Sequence, residues 1–195
     1  MMLAPAKLLL ALILSALPVG APAPNPAATT KMKSALDGKS VSVADVRGKA
    51  GTLVVFTCNH CPFARGWERR IADFANTYSK KGIGVILVNA NDPAQHAEDD
   101  FAGMQARARQ LGLQVPYVMD ETSAVARAFG ASVTPEAFLF DKDGKLAYHG
   151  TIDDNHRDAA AAKNHYLKDA LDAVLAGHPA PVAETKGIGC GIKFR

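Results

Sequence analysis

A Cys-Asn-His-Cys tetrapeptide at residues 58–61 stands between a β-branched apolar run and an amphipathic helix pattern, and this junction constrains the chain more than any other feature. Thr52 to Thr57 reads Thr-Leu-Val-Val-Phe-Thr, the composition of a short buried strand of a parallel sheet. Pro62 follows the second cysteine, and Phe63, Trp67, Ile71, Phe74 and Tyr78 then recur every three or four residues. That spacing places them in one apolar helical stripe. Lys80-Lys81-Gly82 supplies the cations and the glycine that close such a helix.

The same alternation continues down the chain. Gly84 to Asn89 reads as a second buried strand, and a polar connection holding Asn91-Asp92-Pro93 leads to a helix striped by Phe101, Met104, Ala108 and Leu111. Val115 to Met119 fits a short strand and Ser123 to Phe129 a short helix. Glu136 to Phe140 and Lys145 to His149 fit a hairpin across Asp143-Gly144. A last helix uses Leu167, Leu171, Val174 and Leu175 and stops at Gly177. Strand, crossover helix, strand, hairpin and closing helix give an α/β chain, a mixed sheet with helices on both faces, in the order of a thioredoxin-like fold.

The position of the CxxC decides its chemistry. A helix N-terminus carries unpaired N–H groups and a partial positive charge, which favour thiolate over thiol. His60, between the cysteines, adds to this when protonated. A lowered pKa makes Cys58 a better-populated nucleophile and a better leaving group, and makes a Cys58–Cys61 disulfide more oxidising. Cys61, one turn inside the helix, is placed to resolve a mixed disulfide. A structural disulfide over two residues closes too small a loop to stabilise much. A structural zinc site needs four ligands, and no second CxxC is present, so no metal is expected. Pro135, at the start of a strand after Gly130 to Thr134, stands where thioredoxin-like folds place a cis-proline loop facing the cysteines, the alternative being an ordinary trans-proline at a strand start. Cys190, in Gly187-Ile188-Gly189-Cys190-Gly191, is either a third redox thiol or a lone tail cysteine.

Charge and length narrow the setting. The chain has 195 residues, enough for one cored domain, and a formal net charge of +3 that is interspersed rather than clustered. This excludes a polyanion surface, and no nucleic acid partner is expected. Lys7, the apolar run Leu8 to Leu17, and the small residues that follow have the order of a secretory signal. Residues 1–23 therefore read as a signal peptide with the small-x-small site Ala21-Pro22-Ala23, although Pro24 behind it is unfavourable to cleavage. Residues 24–34 read as a flexible leader, 35–179 as the domain and 180–195 as an irregular tail. A periplasmic or secreted location follows, with no membrane contact after signal removal. Asp141 to Gly144 reads as a turn, Asp153-Asp154-Asn155-His156 as a solvated turn with ordering of the loop beside the active site as the alternative, and His96, His149, His165 and His178 as solvated histidines.

With these residues in view, the chain resembles the redoxin, peroxiredoxin-like branch of the thioredoxin superfamily. The similar segments are Thr57 to Pro62, Asn89 to Pro93, Val133-Thr134-Pro135-Glu136, Gly150 to Asn155 and Thr185 to Lys193 around Gly189-Cys190. The resemblance implies a thioredoxin fold and a redox-active Cys58/Cys61 pair, and His60, Thr134 and Pro135 are the supporting residues expected around it. It implies no cofactor, and partners that are protein or small-molecule thiols and disulfides together with a redox partner protein. Two departures bear on activity. Thr57 stands where thioredoxins have tryptophan, and Cys58 and Val54 stand at the threonine and proline positions of the peroxiredoxin pattern when Cys61 is aligned with the peroxide-attacking cysteine. The leading expectation is an exported thiol–disulfide oxidoreductase. Thiol peroxidase, a Cu(I) metallochaperone using the cysteines and a histidine, and a redox sensor remain as alternatives.

Overall fold

The computed structural model describes residues 17–195. Its core is a seven-stranded sheet made of β1 (Met32–Ser34), β2 (Ser40–Val41), β3 (Gly51–Phe56), β4 (Ile83–Asn89), β5 (Tyr117–Met119), β7 (Glu136–Asp141) and β8 (Leu146–Gly150). The spatial order is β2-β1-β5-β4-β3-β7-β8. β3 lies parallel to β4 and antiparallel to β7, and β4 is parallel to β5. A separate two-stranded ladder joins β6 (Val133–Thr134) to β9 (Cys190–Gly191). The mixed sheet with helices on both faces is the thioredoxin-like arrangement.

All six residues of β3 are buried, because helices cover both sides of the sheet. The period of two sorts them cleanly. Leu53, Val55, Val85, Leu87 and Leu139 face the side carrying α1 (Pro62–Ser79), α2 (Phe101–Gln110) and α4 (Tyr166–Leu175). Val54, Phe56, Ile86, Val88 and Phe138 face α3 (Ala124–Phe129) and the segment before β3. On that second side Phe56, Phe129 and Phe138 meet edge-on with centroids 5.5 to 5.6 Å apart. Such pairs add about 0.5–1.5 kcal/mol each beyond their burial. Phe129→Ala would remove two of the three contacts at once. α1 buries Trp67, Ile71 and Tyr78, while Phe63 and Phe74 sit half-buried at the edge of the stripe.

Two segments differ from the sequence expectation. The presumed leader contributes a 3-10 turn (Ala27–Thr29) and β1, with Ala27, Met32 and Ser34 buried and Lys33 paired with Met119 of β5. Its Pro, Ala, Thr and Lys content hid a three-residue in-out-in alternation too short to register as a strand. The tail likewise contributes β9 and a buried Ile192, and two residues flanked by glycine show no periodicity. Most of the expected signal lies outside the described residues. Its last part, residues 17–23, runs against the hairpin: Gly20 N–H donates to Leu146 O at 2.8 Å, and Pro22 bridges Lys145.

Candidate active site

The cysteines stand where β3 ends and α1 begins. Thr57 N–H still donates to Val88 O, after which the chain turns outward and Cys61 becomes the residue capping α1, with Pro62 in its first turn. No side chain caps this helix, so its first N–H groups face the sulfurs, and the Ala64 N–H points to Cys61 Sγ. Asn59 fixes the turn between the two cysteines. Its N–H donates to Asp99 Oδ1 at 2.6 Å, its side-chain amide donates to Glu98 O, and its Oδ1 accepts from the buried Tyr117 hydroxyl at 3.0 Å.

His60 has a partner that the sequence did not reveal. Its Nδ1 pairs with the fully buried Asp99 carboxylate, and its ring stacks on His96 with centroids 3.7 Å apart. The imidazole is therefore anchored on Asp99 and His96 rather than free to turn in solvent.

The opposite wall is the strand end carrying Thr134 and Pro135. The Thr134–Pro135 bond is cis. Thr134 Oγ1 lies 3.0 Å from Cys58 Sγ, and Thr134 O accepts from Cys61 Sγ at 3.2 Å. Glu136 holds this wall from behind. One carboxylate oxygen accepts from the Ser132 and Val133 N–H groups, and the other meets His149 Nε2 at 2.7 Å. His149 is thus buried and paired, not solvated, because it faces the sheet interior at the end of β8. On the helix side, Asp153 accepts from Trp67 Nε1 at 2.6 Å and pairs with Arg70, while His156 packs on Phe63 and Trp67. These contacts seat the 150–156 loop against α1.

Cys58, Cys61 and Cys190 are all free thiols, gathered in one cluster with Ala64 and Phe63. Cys58 is 5% exposed and Cys61 0%, so the member expected to be open is nearly closed, yet it is still the more reachable of the two. Cys61 is pushed down to about 4, first by donation from Cys58, against burial, and then by Cys190. Cys58 is held up, first by donating to Cys61 and then by burial, with Thr134 acting the other way. The thiolate expected at Cys58 is therefore held at Cys61 in the reduced pair, because Cys58 donates to it, and Cys58 becomes the nucleophile only when the shared proton passes to Cys61. The first proton leaves easily and the second is retained.

Cys58 Sγ, a His60 nitrogen and an Asp99 oxygen lie within 4.8 Å of one another, the one grouping of metal-ligand type among the described residues. Three donors fall short of a closed tetrahedral site, and the His60–Asp99 bond already engages two of them. Beside Cys58 a crevice of about 20 Å³, lined by Asn59, Leu87, Arg107 and Tyr117 among others, has room for a single water.

The sequence profile of the Redoxin family matches residues 18–165. This chain belongs to the redoxin family. The match begins well before residue 35, in keeping with the pairing of β1 into the sheet. Among solved structures, this redoxin is similar to an uncharacterized conserved protein from Geobacillus kaustophilus, at 36% identity and a TM-score of 0.83 over 91% of this chain and 93% of that one. A thioredoxin-like protein in the oxidised form shares the fold, with 20% identity and a TM-score of 0.65 over 83% of this redoxin and 99% of its own chain. Among curated relatives, the thiol-disulfide oxidoreductase ResA of Geobacillus thermodenitrificans is 30% identical over 132 residues, 68% of each chain.

Asp99, Tyr117, Glu136 and His149 are the site residues that sequence reasoning missed. The only trace of Asp99 is the run Glu98-Asp99-Asp100 ahead of a helix, where Asp100 alone is needed as the cap. Its neighbour was free for another task, but nothing local says which.

Proposed function

We propose that this redoxin is a thiol–disulfide oxidoreductase in which Cys58 and Cys61 alternate between dithiol and disulfide. The observation that carries the reading is Thr134, whose hydroxyl and carbonyl contact both sulfurs at the N-terminus of α1. The relationship to ResA proteins, named as thiol-disulfide oxidoreductases, supports the same chemistry.

In the reductive direction the pair gives up one proton and the thiolate forms. With the shared proton on Cys61, Cys58 attacks a substrate disulfide, forming a mixed disulfide and expelling one substrate thiolate, which takes up a proton. Cys61 then attacks Cys58 Sγ, closing the Cys58–Cys61 bond and releasing the second substrate thiol. Thr134 Oγ1 donates to the Cys58 thiolate, and the α1 N–H groups stabilise the charge on Cys61. With a crevice that holds one water, the substrate disulfide approaches from outside, as on a protein surface or a small exposed thiol.

Export belongs to the same reading. It rests on Lys7, the Leu8 to Leu17 run and the small residues after it. The test is a redox titration of the purified protein against glutathione, with mass spectrometry of the trapped cysteines. A two-electron transition with a Cys58–Cys61 linkage is expected. A protein that stays fully reduced at every glutathione ratio would overturn the assignment.

A further inference from the structure

Cys190 stands on the far strand of the site and is not used by that mechanism. Its backbone pairs with Thr134, the residue that touches both other sulfurs. Gly189 makes the approach feasible: a Cβ there would lie 2.1 Å from Thr134 O, so only glycine lets the tail lie this close to the cis-proline wall. The Asn91 side chain and Asp92 clamp the tail further on, through Lys193 N at 2.6 Å and Lys193 O at 2.7 Å. Cys190 is half-buried and packs into the Cys58, Cys61 and Ala64 cluster. Its sulfur and its backbone both meet Cys61, and the Phe63 N–H of the first turn of α1 faces its sulfur. Cys61 is thus the central sulfur, met by Cys58 from the loop after β3 and by Cys190 from β9.

We propose that Cys190 is a third redox thiol that exchanges with the active-site disulfide, giving a Cys61–Cys190 bond and releasing Cys58. The inference rests on the dithiol reading above. In the step, the Cys190 thiolate attacks Cys61 Sγ, the Cys58–Cys61 bond breaks, and Cys58 leaves as thiolate and takes up the proton lost from Cys190. No electrons enter or leave, so no external oxidant is needed. The oxidising equivalent moves to Cys61–Cys190, the tail becomes covalently tied to α1, and Cys58 is restored as a free nucleophile.

The electrostatics change in the favourable direction on oxidation. In the reduced protein Cys190 is pushed up to about 11, first by burial and then by donating to, and facing the charge of, Cys61. Once Cys61 is in a disulfide it carries no charge, and the second and third of those causes disappear. Cys190 then ionises more readily when there is a bond for it to attack.

The experiment uses the full chain as wild type, Cys58→Ser and Cys190→Ser, oxidised with diamide, acid-trapped, alkylated and mapped by mass spectrometry. Wild type is expected to show both Cys58–Cys61 and Cys61–Cys190 linkages in a ratio that tenfold dilution does not change. Cys58→Ser is expected to close Cys61–Cys190 within one chain. Only Cys58–Cys61 in wild type overturns the exchange while leaving the dithiol reading intact, and only intermolecular dimers in Cys58→Ser would agree with that result. Failure of Cys190→Ser to form Cys58–Cys61 removes the dithiol reading and the exchange with it. Because the wild-type ratio is read without any substitution, a poorly folded variant does not decide the outcome.

Discussion

The Asp99 carboxylate, fully buried, pairs with His60 Nδ1 while also accepting from the N–H of Asn59, so one side chain fixes both residues between the two cysteines. Behind donation to Cys61 and burial, the Asp99 charge adds a smaller push that holds the Cys58 thiol up, and the imidazole of His60 stands between that carboxylate and solvent. His60→Ala should leave Asp99 without its partner and make the disulfide less oxidising. Asp99→Asn keeps an acceptor for Asn59 and should make it more oxidising. A hydrogen bond to a charged group is typically worth about 1.5–3 kcal/mol, and about 30 mV corresponds to 1.4 kcal/mol for two electrons. Shifts of some tens of millivolts in opposite directions are expected from redox titration. Equal potentials in both variants would mean that the pair is purely structural.

Thr134 is the second lever on Cys58. Thr134→Val keeps the shape and the carbonyl but removes the hydroxyl 3.0 Å from the sulfur. A net hydrogen bond of about 0.5–1.5 kcal/mol translates to roughly a two- to tenfold loss of thiolate. Iodoacetamide alkylation of Cys58 below the thiol pKa should slow by that factor, and Thr134→Ser should restore it. An unchanged rate in the valine variant would show that the hydroxyl donates elsewhere.

The pH dependence follows from the shared proton. Cys61 ionises at about 4 in the reduced fold against the ordinary 9.0. Between those values the folded reduced protein binds one proton fewer than the unfolded chain, so its stability rises with pH. That contribution is lost as pH falls through about 4, and above the ordinary thiol value the raised partner begins to offset it. Over the same window the disulfide takes up one proton on reduction rather than two. The potential should therefore fall by about 30 mV per pH unit instead of about 60. Titrations at pH 5, 6, 7 and 8 measure this, and a slope near 60 would show that neither thiol is ionised.

Glu136 is expected to matter for the fold as well as the site. It is buried, accepts from the Ser132 and Val133 N–H groups just ahead of Thr134, and pairs with buried His149. Glu136→Ala leaves those donors unpaired and should cost about 1–3 kcal/mol for each buried group left without a partner. Glu136→Gln keeps an acceptor and should cost less. Urea unfolding of the reduced forms compares them, and equal midpoints would show that water takes over the carboxylate's role.

Gly189→Ala tests whether the tail is held by the close approach to Thr134. The added Cβ cannot fit 2.1 Å from a backbone oxygen, so the tail should lift and Cys190 should become exposed. Faster alkylation of Cys190 with the melting temperature of the body little changed is the expected result. Unchanged Cys190 reactivity would mean that the tail is held by Asn91 and Asp92 alone.

The sequence by itself determined the elements whose information is local. The apolar run before Cys58, the stripe from Phe63 to Tyr78 and the hairpin across Asp143-Gly144 each show their own period or turn chemistry, and the structure places β3, α1, β7 and β8 there. It also placed Cys58 and Cys61 at a helix N-terminus, because strand, cysteines and helix are contiguous. Only the tertiary structure decided what surrounds the sulfurs. His60 and Asp99 are 39 residues apart, and Cys58 and Thr134 are 76 apart. Cys190 reaches them through a two-residue ladder that has no periodicity to read. A carboxylate on an exposed turn and one buried under an imidazole are written with the same letter. The difference lies in which strands become neighbours, and that is set by packing across the sheet rather than by any window of sequence.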